Sequence, residues 1–205
     1  LQRLHHHSLP RVWDVFSDTQ RDFLVMEYIP GDDLETLVQR QGPQPEWLVL
    51  RWADELLDVL DYLHTQDPPI IHRDVKPGNL KLRENDTLVL VDFGIAEEYR
   101  PEGDTLVGVT AVTPGYSPPE QYTDSPADAR TDVYAVGATL VYLLTGTAPA
   151  AAPDRVAGAG ATVAVRKLAP KTSHASEELL QKALNLVSEE RWANAAEMRR
   201  AVAVA

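Results

Sequence analysis

Cysteine is absent from all 205 residues, and basic side chains are few, with 19 Lys and Arg against 31 Asp and Glu. The first absence excludes disulfides, thiol catalysis and thiolate metal sites, and it fits the reducing cytoplasm, which is the location we expect. The second gives a net charge of −12, whereas a surface for nucleic acid or anionic lipid needs clustered Lys and Arg. We therefore expect no nucleic-acid partner.

A hydrophobic run long enough to cross a membrane is also missing. The longest apolar stretch, residues 134–144, is interrupted by Gly137 and is far shorter than the roughly 20 residues that a spanning helix needs. It predicts a buried helix, and we expect no membrane contact from this segment. No signal peptide or initiator methionine opens the chain, so a sequence that starts Leu-Gln-Arg-Leu is expected to be a fragment or a processed product.

The elements that are present predict one domain of the α+β class, mainly α-helical. A 44% hydrophobic composition is ordinary for a soluble domain of this length. Apolar spacing and turn residues predict strands at 11–16, 23–28, 70–71, 80–82 and 88–91, and helices at 34–40, 46–65, 127–145, 176–187 and 193–204.

One segment concentrates the residues with chemical potential. His72-Arg73-Asp74-Val75-Lys76-Pro77-Gly78-Asn79 is followed thirteen positions after its last residue by Asp92-Phe93-Gly94. An isolated acid or lysine here would simply be a solvated loop charge. The combination instead suits phosphoryl transfer, which needs a carboxylate for the attacking hydroxyl, a cation for the moving phosphoryl group and oxygen ligands for Mg²⁺.

With these motifs, the chain resembles the eukaryotic-type protein kinases, and its bacterial serine/threonine branch in particular. Residues 72–79 resemble the catalytic loop of that family, and residues 92–94 resemble the magnesium-binding motif. Pro118-Pro119-Glu120 resembles the motif that closes the activation segment, with proline where alanine is usual. The resemblance implies a protein-kinase-like fold, ATP and Mg²⁺ as cofactors, and a protein substrate with a Ser or Thr hydroxyl.

The resemblance also implies roles for five residues. Asp74 would accept or align the proton of the substrate hydroxyl, and Lys76 would contact the γ-phosphate. Asn79 and Asp92 would bind magnesium. Thr113 matches the threonine that lies beside the substrate residue following the phosphorylated one.

The adenine-binding strand and hinge are matched by residues 23–29. By resemblance, Met26 would be the gatekeeper, main-chain groups of Glu27 and Ile29 would bond the base, and Asp33 would reach the ribose. Lys81 stands where the family has an apolar floor under adenine. Its stem would lie below the base with its ammonium in solvent, and we expect it to weaken nucleotide binding.

Supporting positions agree with the same family. Asp132 resembles the buried aspartate that holds the catalytic loop through backbone hydrogen bonds. Arg191 matches the arginine that pairs with Glu120. Arg73 precedes the catalytic aspartate, and a phosphate on Thr105 or Thr110 is expected to reach it and order the activation segment. The alternative is that both threonines are ordinary polar loop residues.

The chain departs from the family at its beginning. It has no glycine-rich loop, no strand lysine and no helix glutamate. Residues 1–28 therefore resemble a remnant of the small lobe, and residues 29–205 resemble the large lobe. We expect little activity from this segment alone. Leu1, Leu4 and Val12 are expected to be exposed or covered by another molecule, and we expect self-association through the surface that would face the small lobe.

Two other functions remain open. A pseudokinase, acting as a binding module, would keep this fold for partner contacts. A small-molecule phosphotransferase of the aminoglycoside-kinase type would share the catalytic loop but lack the region from Thr113 to Glu120. The run His5-His6-His7 is interpreted as ordinary loop histidines rather than as a metal site or a purification tag.

Overall fold

We describe a computed structural model of the chain, which covers residues 3–17, 22–92, 97–98, 112–123, 125–158 and 163–205. The strands are β1 (Val12–Ser17), β2 (Asp22–Met26), β3 (Ile70–Ile71), β4 (Leu80–Leu82), β5 (Leu88–Leu90) and β6 (Glu97–Glu98). The helices are α1 (Leu34–Gln41), α2 (Glu46–His64), α3 (Ala129–Thr145), α4 (Ala152–Val156), α5 (Val165–Leu168), α6 (His174–Ala183) and α7 (Ala195–Val202). Single 3₁₀ turns occupy Pro77–Asn79, Pro119–Tyr122 and Ser188–Glu190.

The first two strands lie close to the two predicted positions and pair with each other as an antiparallel hairpin. Val12 lies opposite Met26, Phe16 lies opposite Phe23, and an irregularity follows Val12. Large apolar side chains on both strands remain exposed, namely Trp13, Val15, Phe16, Phe23 and Val25.

Exposure at the start of the chain differs from the prediction. Leu4 is partly buried against the hydrophobic core and Val12 is half-buried, so neither is a bare apolar residue. Leu1 lies outside the described residues. The exposed apolar surface is therefore formed by the hairpin, because its neighbours along the chain pack against the large helical body.

The core is built around α3, which is buried on nearly all sides. A capping box of Asp128 and Thr131 starts this helix, and Gly146, with φ of 72°, ends it in the left-handed conformation. Gly137 allows α6 to approach, since a Cβ at this position would lie 2.9 Å from the Cβ of Ala183. The apolar stretch in the sequence is thus a buried helix, as predicted.

Helix α2 packs its apolar face against α3 and α7. Arg199 on α7 bridges to α2, where its Nε lies 2.7 Å from Oδ1 of Asp54 and its Nη1 contacts Asp58. No helix among the described residues has the length and apolarity needed to span a bilayer.

Short strands frame the two loops that carry the sequence motifs. β4 and β5 are antiparallel, with Leu80 opposite Leu90. β3, just before the first loop, pairs with β6. The loop of residues 72–79 and Asp92 therefore emerge side by side, because β4 follows the first loop and β5 precedes Asp92.

The C-terminal helices are shifted from the predicted bounds. α6 begins two residues earlier than expected, because Ser173 Oγ accepts a hydrogen bond from the backbone N–H of Ser176 at 3.0 Å and caps the helix. It ends at Ala183, several residues before the predicted end. The chain between α3 and α6, which showed little pattern, contains the short helices α4 and α5.

Candidate active site

The loop of residues 72–79 is anchored by Asp132, in the first turn of α3. One carboxylate oxygen of this fully buried residue accepts a hydrogen bond from the backbone N–H of Arg73 at 2.8 Å. The other oxygen lies 2.9 Å from the N–H of His72 and 2.8 Å from Nε2 of His64. This geometry confirms the predicted backbone anchoring by Asp132.

The charge of Asp132 is retained despite its burial. Burial alone would raise the pKa of this carboxyl, but the His64 hydrogen bond, the nearby histidines and the His72 N–H together hold it below its ordinary value. Arg73 meanwhile adopts φ of 68°, which is costly for a residue with a side chain. The side-chain amide of Gln121 also donates to the carbonyl of Arg73 at 2.9 Å, so this conformation is fixed from two sides.

Asp74 is the centre of the polar cluster. Its Oδ1 accepts a hydrogen bond from the Thr113 hydroxyl at 2.8 Å. Its Oδ2 lies 2.7 Å from the Lys76 ammonium and accepts from the Asn79 amide at 2.9 Å. The structure thus brings four of the five predicted catalytic residues into direct contact through one carboxylate.

The fifth residue, Asp92, emerges next to the cluster. It directly follows Val91, whose N–H donates to the carbonyl of Asn79 at 2.9 Å. Asp92 is exposed and has φ of 66°. Phe93 and Gly94, together with Thr105 and Thr110, lie outside the described residues.

The oxygen donors of this corner fit a magnesium ion. The amide nitrogen of Asn79 is used twice, by the carbonyl and by the carboxylate of Asp74, so its Oδ1 is the atom that can bind a cation. The Asp92 carboxylate is a second hard oxygen donor. Mg²⁺ is usually held by one or two such groups together with phosphate oxygens and water.

The segment after Thr113 is held by hydrogen bonds and by close backbone packing. The N–H of Thr113 donates to Ser117 Oγ at 3.0 Å. Gly115 has φ of 89° and lies so near the 148–149 backbone that a Cβ would be 2.9 Å from the Pro149 carbonyl oxygen. Glycine is required there, because both the dihedral angle and the space exclude a side chain.

An ion pair between the buried Arg191 and the partly buried Glu120 holds the end of this segment. Glu120 binds Arg191 through both carboxylate oxygens, at 2.6 and 2.9 Å, which confirms the predicted pair. Arg191 also donates to the Asn185 carbonyl at 2.7 Å, and Thr131 Oγ1 donates to Glu120 at 3.1 Å. Burial favours a higher pKa for Glu120, but the Arg191 hydrogen bonds and charge bring the pKa below its ordinary value. The pair is therefore charged and almost fully hydrogen-bonded, as a buried pair must be.

The predicted adenine-binding residues form a continuous strip at the end of β2. Met26 ends the strand, and the N–H of Glu27 donates to the Arg11 carbonyl at 2.8 Å. The hydrogen bond from Arg83 to the Glu27 carboxylate, at 3.0 Å, is the main cause that lowers the pKa of Glu27 to about 2. Ile29 follows, and its side chain is buried.

Two further residues predicted at the nucleotide site also make hydrogen bonds within the chain, and for Lys81 the contact differs from the prediction. The Lys81 ammonium is not sent to solvent, because it donates to the carbonyls of Ile29 at 3.1 Å and Gly31 at 2.7 Å. Asp33, predicted at the ribose, accepts from the N–H of Thr36 at 2.8 Å and caps α1. One of its oxygens is therefore occupied by the helix.

Sequence reasoning missed three supporting residues, His64, Gln121 and Thr131. Each contacts a residue that was predicted, but the contact spans a long distance along the chain, as in the pair of His64 with Asp132. Gln121 follows Glu120 directly, and Thr131 precedes Asp132. Their position beside predicted residues was a signal, although nothing in their residue types distinguishes them from ordinary polar residues.

Comparison with known proteins settles the family. The model of the protein kinase domain matches residues 1–201. The chain belongs to the protein kinase family. This kinase-family chain is 40% identical over 154 residues, 71% of its length, to serine/threonine-protein kinase B of Synechocystis sp.. It is 37% identical over 147 residues to serine/threonine-protein kinase PknL of Mycobacterium tuberculosis, and 34% identical over 207 residues to PknB of Mycolicibacterium smegmatis.

The family chain spans only part of these relatives, namely 26%, 36% and 33% of their respective lengths. Its fold is similar to that of the crystallised PknI kinase domain of Mycobacterium tuberculosis, with a TM-score of 0.79 over 99% of this chain and 73% of the other, at 24% identity. The predicted family and the predicted mainly helical, kinase-like fold are both confirmed.

Proposed function

We propose that this chain belongs to a serine/threonine protein kinase that transfers the γ-phosphoryl group of ATP to Ser or Thr hydroxyls of proteins. The observation that carries the proposal is the convergence on Asp74 of a hydroxyl, from Thr113, and an ammonium, from Lys76. A hydroxyl that donates to Asp74 Oδ1 at 2.8 Å occupies the kind of position that an attacking substrate hydroxyl needs.

In the proposed reaction, the substrate hydroxyl oxygen forms a bond to the γ-phosphorus while the bond to the bridging oxygen of ADP breaks. The hydroxyl proton goes to Asp74, which Asp132 holds in place indirectly through the backbone of its loop. Lys76, 2.7 Å from Asp74, neutralises charge on the transferred group. Thr113 positions the next residue of the substrate.

Asn79 and Asp92 would hold Mg²⁺, which supplies positive charge for the phosphates when it is bound. Main-chain groups of Glu27 and Ile29 would receive the base beside Met26. This proposal is supported by the strip that these residues form at the end of β2. ATP as phosphoryl donor also supports our proposal of a cytosolic location.

In this proposal, two residues of the nucleotide site also make hydrogen bonds that the family resemblance does not imply. Asp33 would reach the ribose with the carboxylate oxygen that does not cap α1. Lys81 would lie under the base with its ammonium on the hinge carbonyls. The tether from Lys81 to the Ile29 carbonyl is the observation that favours the second candidate, a pseudokinase with weak nucleotide binding.

The lobe assignment also remains a proposal. Residues 1–28 would belong to the small lobe and residues 29–205 to the large lobe. Because the glycine-rich loop and the strand lysine are absent from this sequence, the segment alone would position ATP poorly and turn over slowly. The exposed apolar side chains of the hairpin, including Trp13 and Phe16, support self-association, and a clean monomer in light scattering at high concentration would contradict it.

The test of catalysis uses the full-length protein and γ-labelled ATP with a generic basic protein as acceptor. Asp74→Asn should reduce phosphate transfer by about 10²-fold or more, because the carboxylate no longer accepts the proton. Asp128→Asn, an equivalent change at the exposed cap of α3, should leave transfer unchanged. Full activity of Asp74→Asn would refute the assignment, and an inactive parent protein that still binds ATP would favour the pseudokinase.

A further inference from the structure

The histidine run near the start of the chain lies in a well-anchored loop. The carbonyl of Ser8 accepts from the N–H of Leu90 at 2.9 Å, which joins the loop to β5. The N–H of His5 donates to the Tyr62 hydroxyl at 2.9 Å, which joins it to α2. These two contacts hold the backbone on either side of His6 and His7 against α2 and β5.

Two of these histidines meet an acidic side chain of α2. His6 Nε2 lies 3.3 Å from Oδ2 of Asp58. The rings of His6 and His7 are stacked with centroids 4.3 Å apart. One ligand atom from each of His6, His7 and Asp58 lies within 4.8 Å of the others.

We propose that His6, His7 and Asp58 form a binding site for a divalent transition metal ion of the zinc type. Tetrahedral zinc with ligands at about 2.0–2.1 Å places neighbouring ligand atoms about 3.3 Å apart. The His6–Asp58 pair already has this separation, and a ligand atom of His7 lies within 4.8 Å of both residues' ligand atoms. A ligand set of imidazole nitrogens and one carboxylate binds zinc in preference to magnesium or calcium.

The surroundings of the three ligands suit a metal ion. Arg199 contacts Oδ1 of Asp58 and also binds Asp54, so it orients the carboxylate with Oδ2 toward His6. Such outer contacts to a ligating carboxylate fix its position and tune the site. The two carboxylates of Asp54 and Asp58 and the one guanidinium of Arg199 carry a net charge of −1, which attracts a cation.

His6 must change its tautomer to bind through Nε2. Its Nδ1 accepts a hydrogen bond from the N–H of Ser8 at 3.2 Å, so the neutral ring carries its proton on Nε2. On metal binding the proton moves to Nδ1 and the long contact with Ser8 is lost.

A path to the site is present. His6 and His7 line a cavity of about 740 Å³, which also includes Trp13 and Arg83. Three protein ligands leave the fourth position for water, and the cavity has room for it. Metal binding would join the loop of residues 5–8 more firmly to α2. The same loop is hydrogen-bonded to β5, which precedes Asp92, so the ion would connect α2 with β5.

The test uses the chain without a polyhistidine tag, stripped of metal with a chelator and titrated calorimetrically with ZnCl₂ alone. We expect one saturable site and a higher melting temperature with zinc. His7→Ala and Asp58→Asn should each weaken binding by about tenfold or more. Co²⁺ should give the intense visible absorption of tetrahedral coordination, and this absorption should weaken in both variants.

The matched control is His5→Gln, which removes a neighbouring histidine that is outside the cluster. It should leave the zinc affinity within about twofold, well below the loss expected for a ligand. The absence of saturable binding would overturn the proposal, and so would an Asp58→Asn variant with parental affinity. Equal loss in His5→Gln and His7→Ala would also overturn it, because the histidine run alone would then chelate the ion. His7 is exposed, so His7→Ala remains informative even if Asp58→Asn folds poorly.

Discussion

Replacing Asp132 by Asn tests whether the buried carboxylate holds the catalytic loop. Oδ2 of Asp132 accepts from two donors, the N–H of His72 at 2.9 Å and Nε2 of His64 at 2.8 Å. An asparagine oriented to keep Arg73 bonded to its oxygen turns its NH₂ toward both donors. Each buried donor that loses its partner costs about 1–3 kcal/mol, while removal of a buried charge recovers part of this.

We therefore expect Asp132→Asn to lower the free energy of unfolding by about 3 kcal/mol, a large share of a typical 5–15 kcal/mol. Urea unfolding followed by circular dichroism measures this free energy. An unchanged slope of the free energy against urea concentration would show that the variant exposes the same surface on unfolding. Asp128→Asn is the control, because asparagine caps a helix about as well as aspartate. A cost for Asp132→Asn no larger than that of the control would refute the anchoring role.

Two further changes test the packing and the acid response. Gly137→Ala should destabilise the chain by about 1–3 kcal/mol, because the new Cβ would lie 2.9 Å from Ala183 Cβ; a neutral effect in urea unfolding would show that α6 can move away. Glu27, with a folded pKa of about 2 against an ordinary 4.5, contributes stability that is complete above about pH 4.5 and declines as pH falls toward about 2. The side chain is 30% exposed, so solvent screens the pair and reduces its contribution. Glu27→Gln should lower the free energy of unfolding by about 1 kcal/mol at pH 6 and by less at about pH 3. A difference in unfolding free energy that stays constant between these pH values would contradict the pairing with Arg83.

The predictable parts of the fold were those set by local pattern. α3 was evident because the apolar run around residues 134–144 is too long for a typical strand and too short to span a membrane, and α1 because Asp33 is a strong helix cap. The start of α6 was less certain, since Ser173 and Ser176 are both suitable caps and the sequence does not say which hydroxyl meets which N–H.

In the candidate site too, local contacts were predictable and long-range contacts were not. The contacts of Asp74 with Lys76 and Asn79 arise within one short loop, so motif spacing was enough to place them together. The direction of the Lys81 side chain was not predictable, because a long flexible side chain selects among carbonyl acceptors that only the folded hinge brings near. The burial of Leu4 likewise depends on packing that no local pattern encodes.

Two adjacent residues in the first turn of α3 hold two distant segments of the chain. Thr131 donates to Glu120, in the segment that follows Thr113, and Asp132 accepts from the backbone of the loop that carries Asp74. Fraying of this single helical turn would break the contacts of Thr131 and Asp132 with both segments in one event. Opening of the loop and opening of the substrate-side segment should therefore form one cooperative unit in amide exchange, so that the protein is either aligned for chemistry at both places or at neither.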